Sequence, residues 1–214
     1  MIDNFEAFLI AITVLTLTPG LDTAVVIRNT TRSGVKDGAI TSLGICSGLF
    51  VHATFSAIGI SALLAQSASL FQGVKMVGAA YLLWLGYSSI KASWKTQSGM
   101  NIEEHLGLAP QVSVKRSLRE GFLSNVLNPK TAVFYLAFLP QFINPESSPF
   151  VQSMLMAAIH FVIAMIWQCG LASVVGSAKR ILSNAKFTQW MEGMTGAVLV
   201  VLGVKLLLEK PVAN

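Results

Sequence analysis

Thr18-Pro19-Gly20-Leu21-Asp22-Thr23-Ala24-Val25, in the first half of the chain, is answered in the second half by Asn128-Pro129-Lys130-Thr131-Ala132-Val133. Each stretch interrupts an apolar run with a proline, sets one ionisable residue beside it, and resumes with Thr-Ala-Val. The agreement extends outward. His52 follows Thr23 by 29 residues, and His160 follows Thr131 by the same 29. Both halves then carry a Gly-Ala pair and an apolar run ending in Leu-Gly: Gly78-Ala79 to Gly86, and Gly196-Ala197 to Gly203. A doubled apolar sequence with a broken helix in each copy is the layout expected of a secondary transporter.

Composition supports a membrane protein. The 214 residues are 53% hydrophobic and 12% charged, whereas soluble domains carry about 25% charged residues. Gly38 to Val74 and Ser147 to Ala178 contain no Asp, Glu, Lys or Arg, and each run exceeds the ~20 residues of one span. The alternative is a soluble hydrophobic α-bundle, which these uncharged runs disfavour. The net charge of +5 does not indicate nucleic acid, because the basic residues are not clustered with aromatics on a polar face. Cys46 and Cys169 both lie in apolar runs and read as inert buried thiols, without disulfide or metal-ligand spacing. The start, Met1-Ile2-Asp3-Asn4, lacks a basic n-region, so the first apolar segment is expected to be retained rather than cleaved.

The expected fold is an all-α integral membrane protein with six transmembrane helices, at 5–27, 39–65, 70–91, 119–143, 149–174 and 190–208. They form a single domain over 1–214: a first repeat over about 1–92, a polar cytoplasmic linker over about 93–117, and a second repeat over about 118–214. Eleven of the 15 Lys and Arg follow the first, third and fifth helices: Arg28, Arg32, Lys36; Lys91, Lys95, Lys115, Arg116, Arg119; Lys179, Arg180, Lys186. The positive-inside rule places those loops in the cytoplasm and both termini outside. With three helices per half, equivalent helices cross in opposite directions, so the two three-helix repeats are inverted.

Asp22 sits just past Pro19 and Gly20. Proline removes a backbone donor and glycine relaxes the backbone, so helix 1 should unwind there. The freed N–H groups of the next half-helix can bind a carboxylate. An acid at depth costs on the order of 2.5–3.5 kcal/mol unless it is paired or used. The alternative is a plain proline kink with Asp22 solvated near the cytoplasmic end. Asn128, Pro129 and Lys130 make the matching break, and Asn125 shares a helical face with Asn128. Their amides both donate and accept, which suits a zwitterion. Asp22 and Lys130 become candidate partners of opposite sign, for substrate or as a structural ion pair. His52 and His160 read either as interhelical hydrogen-bond contacts or as a proton relay. Their distances from Cys46 and Cys169 give no shared metal-binding face.

Lys75 reads as an interfacial anchor or snorkelling cation. Tyr81, Trp84 and Tyr87 read as packing or interface belt. Glu192 reads as a helix-start acid. Gly44 and Gly48 form a Gly-x-x-x-Gly step that favours close packing, within the fold or at a homodimer seam. No His-Glu-x-x-His or Gly-x-Ser-x-Gly arrangement suggests an enzyme. A metal or other ion exporter, and a membrane subunit or receptor without transport of its own, are the competing readings.

The chain resembles the LysE/RhtB family of bacterial amino-acid exporters. The likeness is carried by Leu17-Thr18-Pro19-Gly20-Leu21-Asp22-Thr23, Gly44 to His52, Gly78-Ala79-Ala80-Tyr81-Leu82 with Leu85-Gly86, Gly121-Phe122-Leu123-Ser124-Asn125-Val126-Leu127-Asn128-Pro129-Lys130, and Phe138-Leu139-Pro140-Gln141-Phe142. It implies export of small, neutral, threonine- or homoserine-like amino acids across the cytoplasmic (inner) membrane, driven by the proton motive force without a cofactor. The family typically reads Thr-Pro-Gly-Pro-Asp. Leu21 replaces the second proline here, so helix 1 is expected to be less rigidly broken than in relatives.

Overall fold

Pro19 divides the first apolar run into two helices. In the computed structural model, which describes residues 4–66, 68–95, 112–144, 146–175 and 184–208, α1 covers Phe5–Leu17 and α2 covers Leu21–Ser33. Thr18 precedes the proline and is extended, with ψ 120°, because the pyrrolidine ring disfavours a helical neighbour on its N-terminal side. The axis turns by 47° across the break. The helix expected over 5–27 is therefore two helices, and the second runs on to Ser33. Leu21 is the first helical residue of α2. Proline is tolerated at that position because its N–H would have no intrahelical partner, and leucine fits it equally. Pro19 and Gly20 set the break, so it persists without a second proline.

Gly34 closes α2 with φ +89°, a conformation that favours glycine, and α3 (Val35–Gln66) starts at the next residue. α4 covers Ala68–Lys95. The second half repeats the interruption. α5 (Val114–Val126) ends before Leu127 and Asn128, and α6 (Pro129–Val133) restarts at the proline. α6 runs without a gap into a π-helical turn over Phe134–Phe138 and a 3-10 turn over Leu139–Phe142. The helix expected over 119–143 is thus a broken one as well. α7 covers Pro149–Ser173, with Ser148 Oγ accepting from Val151 N–H at 3.4 Å at its start. α8 covers Ala185–Leu208, so it begins earlier than expected and holds Glu192 in its interior rather than at its start. Among the described residues there is no strand.

Close backbone approach organises the packing. In lipid, apolar side chains gain little by leaving their surroundings, so small residues that let helices touch carry much of the association. α3 packs on α5 and α7, and α4 on α8. A Cβ on Gly44 would overlap the Leu118 carbonyl, and one on Gly121 would overlap the Thr41 carbonyl. A Cβ on Gly48 would stand 2.7 Å from Asn125 Oδ1. The Gly-x-x-x-Gly step is therefore filled by α5 of the same chain. Across α4 and α8, a Cβ on Gly86 would stand 2.8 Å from Gly196 O, and one on Gly203 would stand 3.1 Å from Ala79 O. Each Leu-Gly end meets the Gly-Ala pair of the other half.

An aromatic cluster fills one side of the breaks. Phe8 meets Phe142 edge-on at 5.6 Å, and Phe138 meets Phe142 at 4.9 Å. On the other side, charged residues from α2, α3 and α5 converge. Glu120 takes Arg28 at 2.8 Å, Arg116 at 3.0 Å and Arg32 at 3.7 Å. Arg32 also reaches Asp37 at 3.1 Å, and Ser117 donates to the same carboxylate. The basic residues that follow the first helix and those that precede the second break thus occupy one end of the molecule.

Among the described residues, two helices are by themselves long and apolar enough to cross a membrane, through Val35–Gly59 and Pro149–Ser173, and the bent α1–α2 pair would make a third. Trp84 and Tyr87 are exposed on α4, as an interface belt requires. Most of the linker expected over 93–117, Lys179 and Arg180, and the side chains of Lys75 and Tyr81 lie outside the described residues.

Candidate functional site

The two helix breaks meet. Asp22, in the first turn of α2, points at the end of α5 and the break after it, and accepts three hydrogen bonds there. Ser124 Oγ donates to Asp22 Oδ1 at 2.7 Å, and Asn125 Nδ2 and Asn128 Nδ2 donate to Oδ2 at 3.0 and 3.2 Å. Ser124 and Asn125 come from the last turn of α5 and Asn128 from the extended break that follows it, so the end of α5 and the break together deliver all three donors. In return, Lys130 crosses to the first break. Its Nζ donates to Thr18 O at 3.4 Å, and a Cβ on Gly20 would stand only 3.3 Å from that Nζ. Asp22 and Lys130 therefore face a shared space, each anchored on the other half's break, rather than forming a direct ion pair.

Asn128 has two roles. Its Nδ2 serves Asp22, while its Oδ1 caps α6 by accepting from Lys130 N at 3.1 Å. Gly20, at the matching start of α2, supplies no side-chain cap.

Pro129 explains His52. An unbroken helix would bond the N–H of residue 129 to the carbonyl of Asn125, and proline has no N–H. That freed carbonyl takes Asn128 N–H at 2.9 Å and the ring Nε2 of His52 at 3.0 Å. A carbonyl only accepts, so Nε2 of His52 carries a proton. His160 makes the corresponding reach to the first half. Its Nε2 lies 3.0 Å from Thr16 Oγ1, and its Nδ1 lies 3.0 Å from the Tyr135 hydroxyl. Thr16 already donates its hydroxyl proton to Ile12 O at 2.7 Å, so it accepts from His160 Nε2–H, and Nδ1 accepts from Tyr135. The tyrosine ring lies between the two imidazoles, with centroids 5.8 Å from His52 and 5.9 Å from His160. Ser56 Oγ holds the Tyr135 carbonyl at 2.8 Å.

A cavity of ≈ 40 Å³ lies at the junction, lined by Gly20, Asp22, Asn125, Asn128, Lys130 and His160 of the expected site, with Thr16, Thr18 and Gln168 among its other polar walls. It has room for roughly three water molecules. Pro19, Pro129 and His52 are not cavity walls. The prolines shape the breaks, and His52 holds one of them from outside. Sequence reading missed Ser124, Thr16, Tyr135 and Gln168. Ser124 was legible as a polar residue beside Asn125 and four before Asn128, and Gln168 as a polar residue in an uncharged run, two turns past His160. Thr16 and Tyr135 gave no sequence signal, because their partners lie 144 and 25 residues away.

Both cysteines are free. Cys46 is buried, whereas Cys169 is only half-buried rather than enclosed as expected, because it lies a helical step away from the inward-facing Gln168. Among the described residues, no group of three or more His, Cys, Asp or Glu is placed to hold a metal ion.

The LysE type translocator family matches this chain over residues 13–210. An uncharacterized membrane protein of Bacillus subtilis (strain 168), YrhP, is 34% identical over 193 residues, 89% of this chain and 92% of that protein. A homoserine/homoserine lactone efflux protein of Salmonella typhi is 28% identical, with 94% of each chain covered. A threonine efflux protein of the same organism is 24% identical, over 91% of this chain and 92% of that protein. No solved structure matches. The family's match over almost the whole chain takes in both helix breaks and every polar wall of the cavity, and this protein belongs to the LysE type translocators.

Proposed function

We propose that this protein exports small neutral amino acids, threonine- or homoserine-like, across the bacterial cytoplasmic membrane by proton antiport. The observation that carries the reading is a carboxylate and an ammonium group, Asp22 and Lys130, facing one small cavity between two broken helices. A zwitterionic amino acid brings one group of each sign. Lys130 has three donor protons and a single long described hydrogen bond to Thr18 O at 3.4 Å, so a substrate carboxylate completes its shell. The uncapped N-terminus of α2 adds N–H groups of the same polarity. The efflux relatives named for homoserine and threonine support a small neutral side chain.

The transport cycle follows from an inverted-repeat arrangement of six spans. Reciprocal contacts support it: His52 on the second break and His160 on the first, and Gly86 on Gly196 with Gly203 on Ala79. The positive-inside rule assigns the Arg28–Arg32–Arg116 end to the cytoplasm and both termini to the outside. Substrate enters from that end as the ion pairs around Glu120 part, and leaves as the aromatic cluster around Phe138 parts. The ammonium group and a proton compete for Asp22. Competition for one carboxylate couples the two flows in opposite directions. Uptake of labelled amino acids into inside-out vesicles, with and without an imposed pH gradient, tests the proposal. Gradient-dependent accumulation of one or a few small neutral amino acids is expected. No accumulation from folded protein refutes it.

A further inference from the structure

Gln168 is a polar wall of the cavity that the site so far leaves unexplained. It is 6% exposed, and its Oε1 is buried without a hydrogen-bond partner. A buried acceptor left unpaired is costly, so a native one calls for a reason. α7 aims it inward: His160, Ala164 and Gln168 succeed one another at every fourth residue and all line the cavity. Repeat symmetry does not account for it, because the residue two turns past His52 is Ile60.

The arithmetic of acceptors supplies the reason. A carboxylate offers about four lone-pair sites, and an ammonium group has three protons to place. Asp22 already accepts from Ser124, Asn125 and Asn128, which leaves about one site for an incoming cation. Lys130 is itself a donor, and the carbonyl of Thr18 is taken by it. Thr16 has donated its proton to Ile12 O and accepts from His160. Two side-chain oxygens among these walls are buried without a partner, Asn125 Oδ1 and Gln168 Oε1; Asn125 Oδ1 is turned against Gly48 of α3, which leaves Gln168 Oε1 for an incoming donor. We propose that Gln168 binds the ammonium group of the transported amino acid through Oε1, beside Asp22, and so helps to select for an α-amino group. This assignment rests on the amino-acid reading above and names a binding residue within it.

The test compares the wild type with Gln168→Leu, which keeps bulk but removes the acceptor, and with Gln168→Glu, which restores an acceptor. Half-saturation and maximal rate are measured in inside-out vesicles for alanine, serine, threonine and homoserine, together with each variant's melting temperature. We expect Gln168→Leu to raise half-saturation about tenfold or more for every amino acid the wild type carries, with or without a hydroxyl. Gln168→Glu should recover most of that loss. Unchanged half-saturation in folded Gln168→Leu overturns the assignment. So does a loss confined to the hydroxylated substrates, which would place Gln168 at the side chain. A drop in melting temperature with unaltered half-saturation would mark a structural role and overturns it too. A wild type that carries no amino acid overturns the proposed function and this assignment together, whereas a transporting wild type with an indifferent Gln168→Leu overturns only the assignment.

Discussion

Substituting Asp22→Asn should abolish most transport while leaving the protein folded. Asp22 Oδ2 accepts from two amides and Oδ1 from one hydroxyl. An asparagine oxygen placed at Oδ2 keeps both amide bonds. The new NH₂ group then faces Ser124 Oγ, which can turn to accept. The geometry survives and charge assistance is lost. A hydrogen bond to a charged group contributes ≈ 1.5–3 kcal/mol and a neutral one ≈ 0.5–1.5, so about 1 kcal/mol is lost per bond and about 3 kcal/mol across the three. Substituting Asp22→Leu instead strands three donors, at ≈ 1–3 kcal/mol each, and should misfold. The functional loss in Asp22→Asn is separate from its stability loss and persists in the folded variant, because in the proposed cycle the substrate ammonium and the coupling proton both lose their carboxylate. We expect gradient-driven uptake to fall at least about 100-fold, the effect of removing roughly 2.7 kcal/mol of binding. The assay is labelled amino-acid uptake into inside-out vesicles, alongside the melting temperature of the purified protein. Undiminished uptake by a folded Asp22→Asn variant would refute both the coupling role and the competition argument.

Gly48→Ala should damage the site from behind: the new Cβ would stand 2.7 Å from Asn125 Oδ1 and 3.0 Å from Asn125 Cβ, forcing that residue off Asp22 at an overpacking cost of about 1–3 kcal/mol, and wild-type uptake would count against this. Tyr135→Phe removes the proton donor to His160 Nδ1, so about 1–3 kcal/mol of stability should be lost, read as a lower melting temperature; an unchanged value would mean that Nδ1 has found another partner. Glu120→Gln removes the shared anchor of Arg28, Arg32 and Arg116. Because these pairs are partly exposed, each is worth about 0–1 kcal/mol, so global stability should barely move while hydrogen exchange rises at the end of α2 and the start of α5. Equal exchange in variant and wild type would remove the ion pairs from the opening of that end.

Much of the site was legible because the breaks are written in covalent chemistry. Pro19 and Pro129 have no N–H, and the residues before them are driven out of the helix whatever surrounds them. Thr18 and Asn128 are extended as a result. The matched spacing to His52 and His160 pointed to contacts of the same kind in each half, and both rings do reach the other half's break. Helix ends were read less well: α2 outruns the expected boundary by a turn and a half, and α8 begins ahead of it, because charged and polar residues at a helix end carry little hydropathy signal.

What the sequence determined by itself was an apolar helical chain, doubled, with one proline break and one ionisable residue in each copy. Periodicity, uncharged runs and proline act locally, so one chain suffices to read them. Only the tertiary structure decided where the polar atoms go. It sent Asp22 to three donors at the end of α5 and the break after it, sent Lys130 to Thr18, kept the two charges apart across a cavity, and filled the Gly44–Gly48 step with α5. It also left Gln168 with an unpartnered oxygen inside the protein. Hydrogen bonds require distance and direction between atoms about a hundred residues apart, and no local pattern in the chain encodes those.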